Sequence, residues 1–123
     1  MAKVLGIDWG SKRMGLAVGT TEARLASPLN TWPNTPELAA KIKQYCVDEQ
    51  VATVVVGLPR GMEGQETAQT AEVREFAKLL EKALGTEVKL QDETLTSVAN
   101  NRVGVDVDAA AAAQILQDYL DSL

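Results

Sequence analysis

Apolar residues come in short bursts at the start of the chain. Residues 3–9 (KVLGIDW) and 13–20 (RMGLAVGT) are apolar with intervening glycine, and each predicts a strand. Residues 24–32 predict a third, with Pro28 pointing to an edge position or a bulge. The links are short, so an antiparallel meander is expected. Asn34-Thr35-Pro36-Glu37 then has the character of a helix start, and Leu38, Ile42, Tyr45 and Cys46 follow at helical spacing to about Glu49. Residues 51–57 are β-branched and nearly continuous, as in a strand covered on both faces. Gly57 to Gly64 is a glycine-rich loop, and a second helix follows over about 65–84, with Gly85 as its C-cap. Residues 88–91 predict a short strand, and Thr96 a capped turn of helix through Arg102. The last helix runs from Asp108 to about Leu120, and its stretch Ala109 to Ala113 has no bulk to hold it off a sheet. The order is βββαβαβα, an α/β fold in a single domain over residues 1–123. Right-handed parallel crossovers follow the meander, and sites in such folds gather at the carboxyl ends of the parallel strands.

Composition narrows the chemistry more than the fold. The 123 residues are 46% hydrophobic, which suits one core. No apolar run is long enough to span a bilayer, and Met1-Ala2-Lys3 leads into a strand without a secretory pattern. The single Cys46 has no disulfide partner in the chain and is expected to be a small buried hydrophobe, so a reducing cytoplasm is expected. There is no histidine. Ser-His and Cys-His catalysis and His-ligated zinc are therefore excluded, and carboxylates, Lys, Tyr or water must carry any acid–base or metal chemistry. With 17 acids against 12 bases the net charge is −5. That argues against a broad surface gripping nucleic acid through its phosphates, and leaves room for a small basic rim.

Acids stand at the ends of elements: Asp8 after the first strand, Asp92 and Glu93 after the last, Asp106 and Asp108 before the final helix. Carboxylates that converge in a half-buried place repel one another. A hard dication such as Mg²⁺ or Mn²⁺ resolves this with oxygen ligands alone. Such a site suits phosphodiester hydrolysis, in which two ions about 3.5–4 Å apart activate a water and steady the leaving oxygen. Each acid also has a structural use: Asp8, Asp92 and Glu93 in turns, Asp108 as a helix N-cap. Residues Gly57 to Gly64 either offer backbone N–H groups and Arg60 to a phosphate or form a plain turn; the ending of a Walker loop is missing. Lys12, Arg13 and Arg60 would make the basic rim. Trp9 and Trp32 serve in base stacking or in packing.

Four segments together resemble the YqgF/RuvX family, relatives of the RuvC Holliday-junction resolvase to which pre-16S ribosomal RNA processing is ascribed. They are IDWGSKRMGLAV at 7–18, VVVGLPRGMEG at 54–64, DETLTS at 92–97 and DAAAAAQILQDYL at 108–120. The resemblance runs through essentially the whole chain, in order. It implies an RNase H-like fold, a mixed five-stranded sheet with helices on both faces. It also implies a catalytic and metal-binding set of Asp8, Glu93 and Asp108 holding Mg²⁺ or Mn²⁺. Lys12 and Arg60 become the candidate nucleic-acid contacts. The implied activity is endonucleolytic cleavage of structured nucleic acid, leaving 3′-hydroxyl and 5′-phosphate ends. Precursor ribosomal RNA is the implied substrate and ribosomal assembly factors the implied partners. Branched DNA is the alternative substrate, and a non-catalytic binding module on the same fold the alternative role. The first motif also fits nucleotide-binding proteins of the actin and sugar-kinase type, but the chain is too short for their two domains. Two departures stand out. Thr94 replaces the family's usual Arg, and residues 97–107 are shorter and less basic than usual, with Asp106 as an extra acid.

Overall fold

Every other strand is placed by the first, β1 (Lys3–Asp8). On one side it pairs antiparallel with β2 (Arg13–Thr20), which pairs antiparallel with β3 (Ala26–Pro33). On the other side it pairs parallel with β4 (Val51–Arg60), which pairs parallel with β5 (Val88–Thr94). The sheet order is therefore β3-β2-β1-β4-β5. The helices are α1 (Leu38–Asp48), α2 (Ala68–Leu84) and α3 (Val107–Asp121). This computed structural model describes residues 2–94 and 107–123. Asp106 and the helical turn expected from Thr96 to Arg102 lie outside the described residues.

Alternation along the central strands divides the core in two. Leu5, Ile7, Met14, Leu16, Val54, Val56 and Leu58 point to one face and pack with Leu38, Ile42, Val73, Phe76 and Leu80 of α1 and α2. Val4, Ala17 and Val55 point to the other and pack with Ala112, Ile115, Leu116 and Leu120 of α3. The second layer is thin because α3 lies on the strand backbones. A Cβ on Gly6 would come within 2.7 Å of the Leu116 Cβ and 3.2 Å of the Ala112 carbonyl. The alanine stretch thus meets its expected use.

The meander has the predicted flaw. Pairing of β2 with β3 shifts register between Leu16 and Ala17, which face Asn30 and Pro28 and leave Leu29 as the extra residue of a bulge in an edge strand. Several boundaries differ from expectation. Helix α1 starts at Leu38 because Asn34 is used elsewhere: its side-chain amide donates to the Gly10 carbonyl at 2.8 Å and ties down the β1–β2 turn. Helix α2 starts at Ala68, under a reciprocal cap of Thr67 and Thr70. Strands β4 and β5 run further than expected, because Leu58, Pro59 and Arg60 pair in register with Asp92, Glu93 and Thr94. The apparent loop Gly57–Gly64 is thus half strand.

Trp32 is packed, with Tyr45 edge-on at 5.9 Å and the Lys41 ammonium 4.5 Å from its ring centre. That is the packing use of this tryptophan. Cys46 is buried, as expected of a lone small hydrophobe.

Candidate active site

The face of the sheet decides which acids can meet. On β1, Val4 packs under α3, so Gly6 and Asp8, two and four residues on, share that face. On β5, Val88 packs with α1 and α2, so Asp92 shares that side while Glu93 points to the side of α3. Asp8 and Glu93 therefore stand on one face at the carboxyl ends of parallel strands, and Asp92 does not. Asp92 bonds instead to the Arg60 guanidinium at 3.3 Å.

Asp108 reaches the same place through α3. Asp8 lies opposite Gly15 in the β1–β2 ladder. A Cβ on Gly15 would sit 1.8 Å from the Asp108 carbonyl oxygen, so only glycine lets the first turn of α3 settle there. The chain thereby sets Asp108 beside Asp8.

Titration behaviour reports this crowding. The Asp8 carboxyl is pushed up to about 6, chiefly by burial and then by the charge of Asp108. Glu93 is pushed up to about 8, first by burial, then by a hydrogen bond with Asp118 and that group's charge, and then by Asp8 and Asp92. A hydrogen bond between two carboxyls needs a proton, and at neutral pH the Glu93 carboxyl supplies it, donating to Asp118. Asp118 is fixed in turn by the side-chain amide of Gln114, which donates to it at 2.9 Å. The Asp108 carboxylate has its own partner, the Arg13 Nε at 2.5 Å.

Between Asp8 and Glu93 lies a cavity of about 50 Å³, lined also by Trp9, Gly57, Pro59, Gln69 and Ile115. Its size suits a water or a small ion rather than a base. Trp9 thus borders the carboxylates, in contrast to Trp32.

The donors fit a hard dication in kind: all are oxygens, half-buried and crowded by like charge, with no histidine in the chain. Their present placement is pairwise. Among the described residues no three acids are gathered closely enough to surround one ion. Asp8 is flanked by Asp108 and by Glu93, while Glu93 is engaged by Asp118 and Asp108 by Arg13.

The basic rim is more heavily committed than its sequence implies. Lys12 is exposed in the β1–β2 turn. Arg60 lies between Glu66 at 3.5 Å and Asp92 at 3.3 Å. The glycine loop spends its N–H groups internally: Gly61 donates to the Gln65 carbonyl, Glu63 to the Gln65 side chain and Gly64 to the Gly61 carbonyl. These three N–H groups are turned toward the loop itself, as in a plain turn. Sequence reasoning missed Gln69 and Asp118. Gln69 had no pattern to mark it. Asp118 had no signal that set it apart from Gln114, Gln117 and Asp121 on the same helix.

A mixed five-stranded sheet in this order, with acids at the carboxyl ends of β1 and β5 and at the start of α3, defines an RNase H-like protein. RuvC of Thermus thermophilus in complex with a Holliday junction substrate has this fold, with a TM-score of 0.60 at 15% identity over 99% of this chain and 95% of that one. The fowlpox virus Holliday junction resolvase matches with a TM-score of 0.56 at 13% identity, over 98% and 99% of the two chains. The chain belongs to the RuvX family, described as Holliday junction resolvase, whose model matches residues 2–122. A Chloroflexus aggregans protein named "Putative pre-16S rRNA nuclease" is 41% identical, over 97% of this chain and 93% of its own. A Dictyoglomus thermophilum protein of the same name is 35% identical, over 98% and 96%.

Proposed function

We propose that this chain is a Mg²⁺- or Mn²⁺-dependent endonuclease that hydrolyses phosphodiester bonds in structured nucleic acid, with precursor 16S ribosomal RNA as its substrate. The observation that carries the reading is Asp8, a half-buried carboxylate pushed up to about 6 with Asp108 beside it and Glu93 facing the same cavity. A protein that only gripped phosphate would be better without these charges. The family and the names of the relatives support a nuclease.

Asp8, Glu93 and Asp108 would hold the ions. When bound, they supply charge that polarises the phosphoryl group and lowers the pKa of a water. Glu93 must first give up its proton and its bond to Asp118, and Asp108 must turn from Arg13. Asp8 sits between the two and needs neither exchange. Trp9 and Ile115 wall the cavity and limit its water, which strengthens every charge interaction inside. Lys12, exposed in the β1–β2 turn, would meet a backbone phosphate. Arg60 joins it only by exchanging Glu66 and Asp92 for phosphate oxygens. With a role in ribosomal RNA maturation, the protein would act in the cytoplasm among ribosome assembly partners.

The test is cleavage of a precursor 16S fragment and of a four-way DNA junction in Mn²⁺, with and without chelator. Wild type is expected to cut the RNA, and Asp8→Asn, folded, to cut nothing. Preferential cutting of the junction makes the protein a branched-DNA resolvase. Tight binding without cleavage of either substrate makes it a non-catalytic module; the net charge of −5 and the occupied arginines favour that second reading.

A further inference from the structure

We infer that Arg13 is a built-in countercharge for Asp108, which a divalent cation must displace before it can take that carboxylate; this rests on the metal-dependent reading. Arg13 opens β2 opposite Pro33, and its Nε meets the Asp108 Oδ2 at 2.5 Å. The backbone from which each partner of the pair extends is held in place. The turn before Arg13 is held by Asn34, whose N–H donates to the Lys12 carbonyl at 2.9 Å and whose side chain donates to that of Gly10. The start of α3 is seated on Gly15.

The two partners differ in what they lose by parting. The Arg13 side chain is 65% exposed and can swing into water, whereas that of Asp108 is 30% exposed and stays beside Asp8. The guanidinium therefore neutralises one of two crowded acids while no cation is there. It is also the group that leaves when one arrives, because it and a dication shared by Asp8 and Asp108 repel one another at such range. Arg13 costs metal affinity and prevents bare repulsion between Asp8 and Asp108 in the metal-free protein.

A double-mutant cycle in Mn²⁺ affinity, read by calorimetry without substrate, tests this. Arg13→Gln is expected to bind Mn²⁺ roughly two- to five-fold more tightly than wild type, the size set by an exposed ion pair. In the Asp108→Asn background, whose Mn²⁺ affinity is itself expected to be lower for want of a ligand, the same substitution is expected to leave that lower affinity unchanged. If Arg13→Gln disturbs the turn, Arg13→Lys, which keeps the charge without the Nε donor, is expected to tighten binding by a smaller factor. Equal or weaker binding by the Arg13 variants overturns the inference. So does tightening of the same size in Asp108→Asn, since that would be charge alone. In both cases wild type still binds Mn²⁺ and the metal reading stands. Failure of every form to bind Mn²⁺ overturns both.

Discussion

Gly15 lies against the backbone of Asp108, so close that a methyl group on it would overlap the Asp108 carbonyl oxygen. The obstacle is backbone, which cannot rotate aside as a side chain can. Gly15→Ala is therefore expected to cost about 3 kcal/mol, the upper end for overpacking, and to push the start of α3 away from Asp8. Urea unfolding measures the first effect and loss of Mn²⁺ affinity the second. A variant as stable as wild type would show that α3 is not seated there.

The metal-free protein should lose stability as pH rises. Asp8 and Glu93 titrate at about 6 and about 8 when folded, against ordinary values of 3.8 and 4.5. Both are raised, so the folded state binds more protons than the unfolded one between those values. The contribution is complete below about pH 4 and is lost as pH climbs through the folded values. Melting temperatures in chelator are expected to fall from about pH 5 to about pH 9, and the slope to flatten in Asp8→Asn/Glu93→Gln. A rise over that range would contradict the burial of these acids.

Metal binding should expel a proton. At about pH 7 the Glu93 carboxyl carries the hydrogen it shares with Asp118, and a hard cation takes only the ionised form. Calorimetry of Mn²⁺ binding in two buffers of different ionisation enthalpy is expected to give release approaching one proton, and Glu93→Gln to abolish most of it. No release from wild type would mean that Glu93 is already ionised or is not a ligand.

Thr70 joins α2 to the end of β4. It is fully buried, and its hydroxyl donates to the Pro59 carbonyl at 2.5 Å while sharing the cap with Thr67. Pro59 is the register partner of Glu93. Thr70→Val is expected to destabilise by about 1–2 kcal/mol through the orphaned carbonyl and weakened cap, with Thr70→Ser recovering most of it. Chemical denaturation of the two variants checks this.

Much of the fold was legible because hydrophobic period and turn residues agree along the chain. The strands at residues 3–9 and 13–20, the bulge signalled by Pro28 and the close-lying alanine helix were all readable from sequence. The ends of β4 and β5 were not. Gly57, Pro59 and Gly61 carry turn signals, and only pairing with β5 keeps the chain extended through Arg60. Asn34 read as a helix cap because its true partner, the Gly10 carbonyl, is distant in sequence. Within the site, Asp8 was visible as a charge ending an apolar strand. Residue spacing could not separate Glu93 from Asp92, since a shift of one residue exchanges the faces of a strand; only the family resemblance pointed to Glu93. The Arg13–Asp108 and Glu93–Asp118 pairings depend on how α3 crosses the sheet, and neither leaves a local trace.

The account stands on acids remote in sequence holding a shared ion. Anomalous diffraction from a Mn²⁺-soaked crystal tests that most directly. The expected result is a peak between Asp8 and Asp108, with Glu93 turned from Asp118 to join it. Crystals that take up Mn²⁺ only elsewhere, with the Arg13–Asp108 and Glu93–Asp118 pairs intact, would contradict it.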